Sequence, residues 1–311
     1  MVVRVLLLDN WKDEARAELA KVCDDVTFPC FAVTSEDIDG LIVGLGQYPK
    51  WCAIKEFPNL KFVASPTTGL DHIDLDYCKS HNIAVLSLQG DTEFLRGVHA
   101  TAEHCVGLML SLLRHIPQAH ADVCAGRGDR EAWQGSELHD KYVGVVGAGR
   151  VGEQVMRLLY GFGCAFLAHD LHEMHYGQHV ETLDELLRRS DIVTLHVPLN
   201  NSTRNLIGEA QLRLMKPCSV LINTSRGAVI DEAALLRALR EGWIAGAALD
   251  VMCDEPNVNY ELICYTQHND NLILTPHLAG NTAESRLKTQ LRMCEKIRDF
   301  IGGGSNDHVN P

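Results

Sequence analysis

Arg226, Glu255 and His277 are three side chains whose types, taken together, could move a proton while holding an anion. Histidine titrates near neutral pH and gives or takes a proton. A carboxylate beside an imidazole fixes its orientation and favours its protonated form. Arginine stays charged, grips a carboxylate through two parallel hydrogen bonds and polarises a neighbouring carbonyl. Singly, each residue has a plainer reading, such as a surface ion pair or a solvated loop carboxylate. Their placement joins them. Arg226 follows the apolar run Ser219–Asn223, Glu255 follows Ala245–Leu249, and His277 follows Leu272–Thr275. In a doubly wound parallel sheet the carboxyl ends of the strands line one crevice, so these three side chains are expected to converge.

A second pattern lies upstream. Gly147-Ala148-Gly149-Arg150-Val151-Gly152 fits G-x-G-x-x-G, follows the strand-like Tyr142–Val146 and opens the helix-like Arg150–Phe162. In that context Gly147 permits a tight turn, Gly149 lets a pyrophosphate approach, and Gly152 lets helix and strand pack closely. The next strand, Cys164–Ala168, is followed by Asp170, whose carboxylate would accept from ribose hydroxyls and repel a 2′-phosphate. This predicts NAD rather than NADP. His196, before Val197 and Pro198, ends the apolar strand Ile192–His196 and fits a wall of the same cofactor site better than a metal ligand. Hydride from a nicotinamide, a proton from His277 and an anchor at Arg226 together suit the interconversion of a 2-hydroxy acid and its 2-oxo acid.

The elements that would position these residues follow from hydrophobic patterning. Val2–Leu8, Leu41–Leu45, Lys61–Ser65 and Ile83–Leu88 have the continuous apolar character of strands covered on both faces. Asp91–Gly97 reads as a connection, Val98–His120 as one long helix apolar around much of its girth, and Ala125–Asp140 as a glycine-containing loop. Beyond it strands alternate with helical runs at Thr182–Arg189, Glu209–Met215 and Glu232–Glu241. Thr282–Ile301 is the final helix and Gly302–Pro311 a frayed tail.

At 311 residues the chain holds two domains of ordinary size. A net charge of −13 argues against a general nucleic-acid or anionic-membrane surface. No apolar stretch reaches the roughly 18 residues of a membrane span, and the first residues read as a strand rather than a signal peptide. The eleven cysteines show no zinc spacing, so buried reduced thiols in a cytoplasmic protein are expected. His72, His104, His169 and His196 form no convincing ligand pairs, and no metal is expected. Trp51 and Trp133 read as packing residues, although Trp133 lies close enough in sequence to the fingerprint to reach a cleft.

The glycine fingerprint, Asn223–Asp231, Gly246–Pro256 and Thr275–Gly280 together resemble the D-isomer-specific 2-hydroxyacid dehydrogenase family. The resemblance runs from about Lys61 to the last helix. It implies that His277 is the acid/base, Glu255 its partner and Arg226 the substrate-orienting cation. It further implies that Asp250 holds the nicotinamide amide, Arg150 and Val151 the pyrophosphate, and Thr224 and Ser225 the nicotinamide half, with Gly280 on the cofactor side. Thr67–Asp74 resembles the loop whose backbone N–H groups, at Thr68, Gly69 and Leu70, hold the substrate carboxylate. Thr101-Ala102-Glu103 resembles the opening of the interdomain helix.

The expected architecture is therefore α/β, two doubly wound parallel-sheet domains. A Rossmann NAD domain at 98–284 is inserted into a flavodoxin-like substrate domain at 1–97 plus 285–311. Two crossings of a hinge predict closure on the ternary complex, and the long apolar helix is the expected contact of a homodimer. Met252, followed by Cys253, stands where the family usually has an aromatic residue, and Leu278-Ala279-Gly280-Asn281 where Ile-Gly-Gly-Ser or similar is common, which leaves the substrate open. With the sequence ending at Pro311, the regulatory extension of some phosphoglycerate dehydrogenases is not expected. A rival from another class is an NAD(H)-sensing scaffold, since corepressors resembling this family keep the same triad.

Overall fold

Short Val/Ile/Leu runs separated by amphipathic stretches bury themselves best as parallel strands with crossover helices on both faces. In the computed structural model, residues 2–28, 35–45, 54–171 and 177–303 are described. Two compact units result, Met1–Val98 with Thr282–Pro311, and His99–Asn281. Trp51 and the tail from residue 304 lie outside the described residues.

The first unit holds five parallel strands: β1 (Arg4–Leu7), β2 (Asp25–Thr27), β3 (Gly40–Ile42), β4 (Phe62–Ala64) and β5 (Ala84–Leu86). Their order, β2-β1-β3-β4-β5, is that of flavodoxin-like sheets. One face buries Val5, Leu7 and Phe62 against Leu19 of helix α1 (Asp13–Val22) and Met293 and Ile297 of the C-terminal helix Ala283–Ile301. The other face buries Leu6, Leu41, Val63 and Val85 with Cys78 of α2 (Leu75–Ser80). Each such fully buried aliphatic side chain contributes roughly 1.5–3 kcal/mol.

The second unit is a seven-stranded parallel sheet. Its strands are β6 (Tyr142–Val146), β7 (Ala165–His169), β8 (Gln178–His179), β9 (Ile192–Leu195), β10 (Val220–Asn223), β11 (Gly246–Leu249) and β12 (Leu272–Leu274), in the order β12-β11-β10-β9-β6-β7-β8. The chain winds outward in both directions from β6, so β6 and β9 flank a topological switch point, the Rossmann arrangement. Both faces are covered by apolar clusters.

Several expectations are corrected. Val98–His120 is not one helix: Ala100–Leu113 ends, and Ile116–Cys124 begins after His115 in the left-handed region at φ 51°. Pro117 has no N–H to give to the Leu113 carbonyl and its ring would clash there; Ser136 N–H donates to that carbonyl instead, at 2.8 Å. Only the first of the two helices is buried, and its apolar face packs within its own unit. Apolarity alone therefore gives no argument for a second copy on that helix. Asp91–Gly97 contains a short helix, Thr92–Leu95. Strands β2 and β8 and the helix Tyr260–Thr266 escape the patterning, the strands because short polar edge segments carry no apolar run. Cys124 and Cys218 are exposed rather than buried.

Among the described residues no helix is long and apolar enough to cross a membrane, and no three His, Cys, Asp or Glu side chains converge as metal ligands.

Candidate active site

The loops that leave β6, β7, β9, β10, β11 and β12 all emerge at the carboxyl edge of one parallel sheet. That edge carries the candidate cofactor and catalytic residues of the second unit. Two clusters form there.

The first is the glycine fingerprint between β6 and the helix Arg150–Tyr160. Gly147 has φ 89°, and a Cβ on it would lie 2.8 Å from the His196 carbonyl. A Cβ on Gly152 would lie 2.3 Å from the Gly147 oxygen, so this glycine sets how closely helix and turn pack. A Cβ on Gly149 would meet nothing within 4 Å. Gly149 starts the helix with no side-chain cap, which leaves the positive helix end facing that open space. Ala148 N–H donates to Asp170 Oδ2 at 2.7 Å, so the acid after β7 also braces the turn. Burial lowers the pKa of the Arg150 guanidinium from its ordinary value; an anion at the helix end would relieve that penalty. These features fit a dinucleotide pyrophosphate.

His196 and Val197 wall the Gly147 turn, with Pro198 next in the chain. Thr194 Oγ1 lies 3.0 Å from His196 Nε2 and 3.2 Å from Cys105 Sγ. Burial pulls His196 down to about 4, so its ring is neutral at physiological pH.

The second cluster surrounds His277. Its Nδ1–H donates to Glu255 Oε2 at 2.6 Å, and the other Glu255 oxygen accepts from Met252 N–H at 2.7 Å. A carboxylate only accepts, so Nδ1 carries a proton and Nε2 is the ring nitrogen left for a reacting group. His277 itself sits at φ 55°, a backbone region sparsely used by side-chain-bearing residues and held here by its surroundings.

Asp250 supplies that hold. Its carbonyl accepts from His277 N–H at 2.8 Å, its Oδ1 from Leu278 N–H at 2.8 Å and Thr275 Oγ1 at 2.5 Å, and its Oδ2 from Ala279 N–H at 2.8 Å. Burial would raise the pKa of this carboxyl. Hydrogen bonds from His104, Thr275, Ala279 and Leu278 outweigh it and hold the pKa below the ordinary carboxylate value. The structure thus places Asp250 beneath the His277 loop, with its side chain fully covered.

Arg226 lies in a turn organised by Asn223. The Asn223 side chain accepts from Ser225 N–H and Oγ and donates to the Arg226 carbonyl. Thr224 is buried beside that turn. A Cβ on Gly227 would lie 2.0 Å from the Met252 carbonyl carbon, so the Arg226 turn and the turn leading to Glu255 are backbone neighbours. Glu232 accepts from Cys253 N–H at 2.7 Å and from Asn259. Burial, aided by Glu232, pushes the Cys253 thiol up to about 12, so it remains a thiol. Gly280 closes the His277 loop with no heavy atom near its Cβ position.

Sequence reasoning missed Asn223, Glu232 and the contact of His104 with Asp250. Asn223 had a readable signal, since Asn at a strand end favours such turns. Glu232 looks like any acid in a first helical turn. Trp133 does not line either cluster: its Nε1 donates to Asp122 of the helix Ile116–Cys124.

The first unit contributes a separate feature. After β4, Ser65 Oγ lies 2.9 Å from Thr67 Oγ1 and 3.0 Å from His72 Nε2, and Thr67 Oγ1 donates to the Gly69 carbonyl. Among the described residues the N–H groups of Thr68, Gly69 and Leu70 have no acceptor.

A Rossmann sheet with a uniformly parallel crevice edge, a phosphate-ready turn and an imidazole–carboxylate pair defines a nicotinamide-dependent oxidoreductase architecture. The family model for the NAD-binding domain of D-isomer specific 2-hydroxyacid dehydrogenases matches residues 106–279. The glyoxylate reductase of Pyrococcus furiosus is 34% identical over 90% of this chain and 81% of its own. The D-3-phosphoglycerate dehydrogenase of Methanocaldococcus jannaschii is 35% identical over 88% of this chain but only 52% of its own, so the chain spans about half of that relative. The Aquifex aeolicus D-lactate dehydrogenase structure, complexed with NAD and lactic acid, superposes with a TM-score of 0.82 at 27% identity, covering 96% of each chain. The chain belongs to the D-isomer specific 2-hydroxyacid dehydrogenase family.

Proposed function

We propose that this protein interconverts a D-2-hydroxy acid and its 2-oxo acid with NAD(H), His277 serving as acid/base. The observation that carries the reading is the His277–Glu255 pair at 2.6 Å, on the same sheet edge as a turn shaped for pyrophosphate. The bound nicotinamide would supply or accept the hydride. In the reductive direction His277 Nε2 would give its proton to the oxygen that gains negative charge. Glu255, fixed by Met252 N–H, keeps Nδ1 protonated and the ring oriented, and stabilises the cationic ring before transfer. Arg226 is assigned to the substrate carboxylate and carbonyl. The N–H groups of Thr68, Gly69 and Leu70, which have no acceptor among the described residues, are assigned to a substrate carboxylate.

On the cofactor side, Asp170 is assigned to the adenosine ribose, and His196, neutral and buried, with Val197 and Pro198 to the wall beside it. Thr224 and Ser225 border the nicotinamide half, and Arg150 and Val151 the pyrophosphate. Asp250 acts by placing the His277 loop.

The deciding experiment follows NADH oxidation optically against glyoxylate, pyruvate, hydroxypyruvate, 2-oxoglutarate and branched and aromatic 2-oxo acids, with NADPH in parallel. Rapid turnover of one compound with NADH supports the reading and names its pocket. Tight NADH binding without turnover across the panel moves the assignment to an unusual substrate or to the sensing scaffold.

Asp170 gives a sharper cofactor test. Asp170→Asn keeps an acceptor for Ala148 N–H but removes the charge facing a 2′-phosphate. NADPH affinity is expected to rise and NADH affinity to fall by about 10-fold, the loss of one or two charge-assisted hydrogen bonds. Titration by cofactor fluorescence checks it; equal changes for both cofactors would discredit the ribose assignment.

A further inference from the structure

The His277 loop is fastened from beneath by a residue far away in sequence. His104 lies in the helix Ala100–Leu113, which packs along β10, β11 and β12. Its Nε2 is 3.2 Å from Thr275 Oγ1 and 3.2 Å from Asp250 Oδ1. The next residue, Cys105, reaches Thr194 at the end of β9. One turn of this helix therefore touches three strand ends.

The donors and acceptors close only one way. Asp250 is ionised and accepts only, so Thr275 must direct its hydroxyl hydrogen to Oδ1. The Thr275 oxygen and the carboxylate are then both acceptors toward His104, and Nε2 must carry the hydrogen between them. The result is a triangle joining the helix to the exits of β11 and β12. Asp250 has no exposed side-chain surface, whereas His104 is 25% exposed. The carboxylate so fixed holds two consecutive N–H groups, of Leu278 and Ala279, and its own carbonyl holds that of His277. The left-handed backbone at His277 is thereby pinned at the residue itself and at the two that follow. Loss of the Nε2 donor would leave a buried carboxylate with one fewer charge-assisted hydrogen bond and free to rotate about its side-chain bonds.

We propose that His104 is a positioning residue for His277, acting through the Asp250 carboxylate that grips the 277–279 backbone. The proposal rests on the reading of His277 as acid/base. Its chemistry lies in a single N–H, so the test separates that hydrogen bond from the volume of the ring. His104→Leu removes the donor, and His104→Gln returns an N–H at similar reach. In the Leu variant of the full-length protein, kcat is expected to fall about 10-fold with little change in KM for NADH or the oxo acid. The Leu278 and Ala279 amides are expected to exchange with solvent about 10-fold faster by NMR, while Leu221 and Ile222 in the sheet keep their protection. The Gln variant should restore both readouts.

Unchanged exchange at Leu278 and Ala279, or faster exchange throughout the unit, or the same loss in Leu and Gln variants, would each overturn the proposal. His277→Asn is assayed alongside. If it is inactive while His104→Leu keeps the parent kcat, positioning by His104 is wrong and the acid/base reading stands. If His277→Asn turns over normally, it is the acid/base reading that has failed, whatever the amides report.

Discussion

Replacing His277 by alanine is expected to lower turnover of the 2-oxo acid by about 10²–10⁴-fold, the usual contribution of a positioned general acid, with NADH affinity nearly unchanged. The separation follows from the two clusters. The phosphate-ready turn depends on Gly147, Gly149, Gly152 and Asp170, whereas the imidazole belongs to the loop after β12. The His277 ring is held by Glu255 through Nδ1, leaving Nε2 for the reacting oxygen. Alanine carries one complication, because His277 sits at φ 55°, a region that histidine and asparagine enter more readily than alanine. His277→Asn removes that ambiguity. Asparagine accepts the left-handed region more readily, and its amide can still donate to Glu255, but it has no titrating nitrogen. Both variants should therefore be inactive in steady-state assays and bind NADH normally in fluorescence titrations. A parent-like rate in the asparagine variant would remove His277 from the proton transfer.

How much of this was legible in the sequence divides along a physical line. Strand-end chemistry was readable because parallel strands buried on both faces are continuous apolar runs, and the polar residue that breaks each run marks the crevice edge. Arg226, Glu255 and His277 each stand beyond such a run, and the structure puts the three on one sheet edge. The fingerprint was readable because backbone geometry restricts Gly147 and Gly152 to glycine. What patterning could not reveal is closure between distant segments. Nothing in the spacing tells that His104 meets Thr275 across 171 residues, or that buried Glu232 holds the Cys253 backbone. The break at His115 was legible, since Pro117 forbids a continuous helix there, but the apolar composition on both sides outweighed it. Edge strands β2 and β8 lack burial on one side and so lack the pattern by which strands are recognised.

Two glycines of the same fingerprint are expected to fail in different ways when replaced by valine, and the contrast isolates the cofactor site from the fold. Gly149 is extended, with φ −71°, and a Cβ there meets open space, so Gly149→Val should fold with a melting temperature close to the parent's. That same open space is where the pyrophosphate is assigned. A branched side chain would hold the phosphates off the uncapped helix N–H groups, weakening NADH by about 10–100-fold through lost charge-assisted hydrogen bonds. Gly152→Val instead drives a Cβ to 2.3 Å from the Gly147 carbonyl oxygen and 3.0 Å from a Val145 methyl. Neither the turn nor β6 has room to move, because Gly147 is itself closed in by His196 and Val197. Overpacking of this kind costs about 1–3 kcal/mol or more, which at this size lowers the melting temperature by roughly 2–4 °C per kcal/mol. Calorimetry on both variants beside NADH titration separates the effects. If Gly149→Val binds NADH as the parent does, the pyrophosphate does not lie over that glycine, and the cofactor assignment at the helix end has to be withdrawn. If it binds weakly at full stability while Gly152→Val loses stability and binding together, open space at one glycine and closed packing at the other account for both.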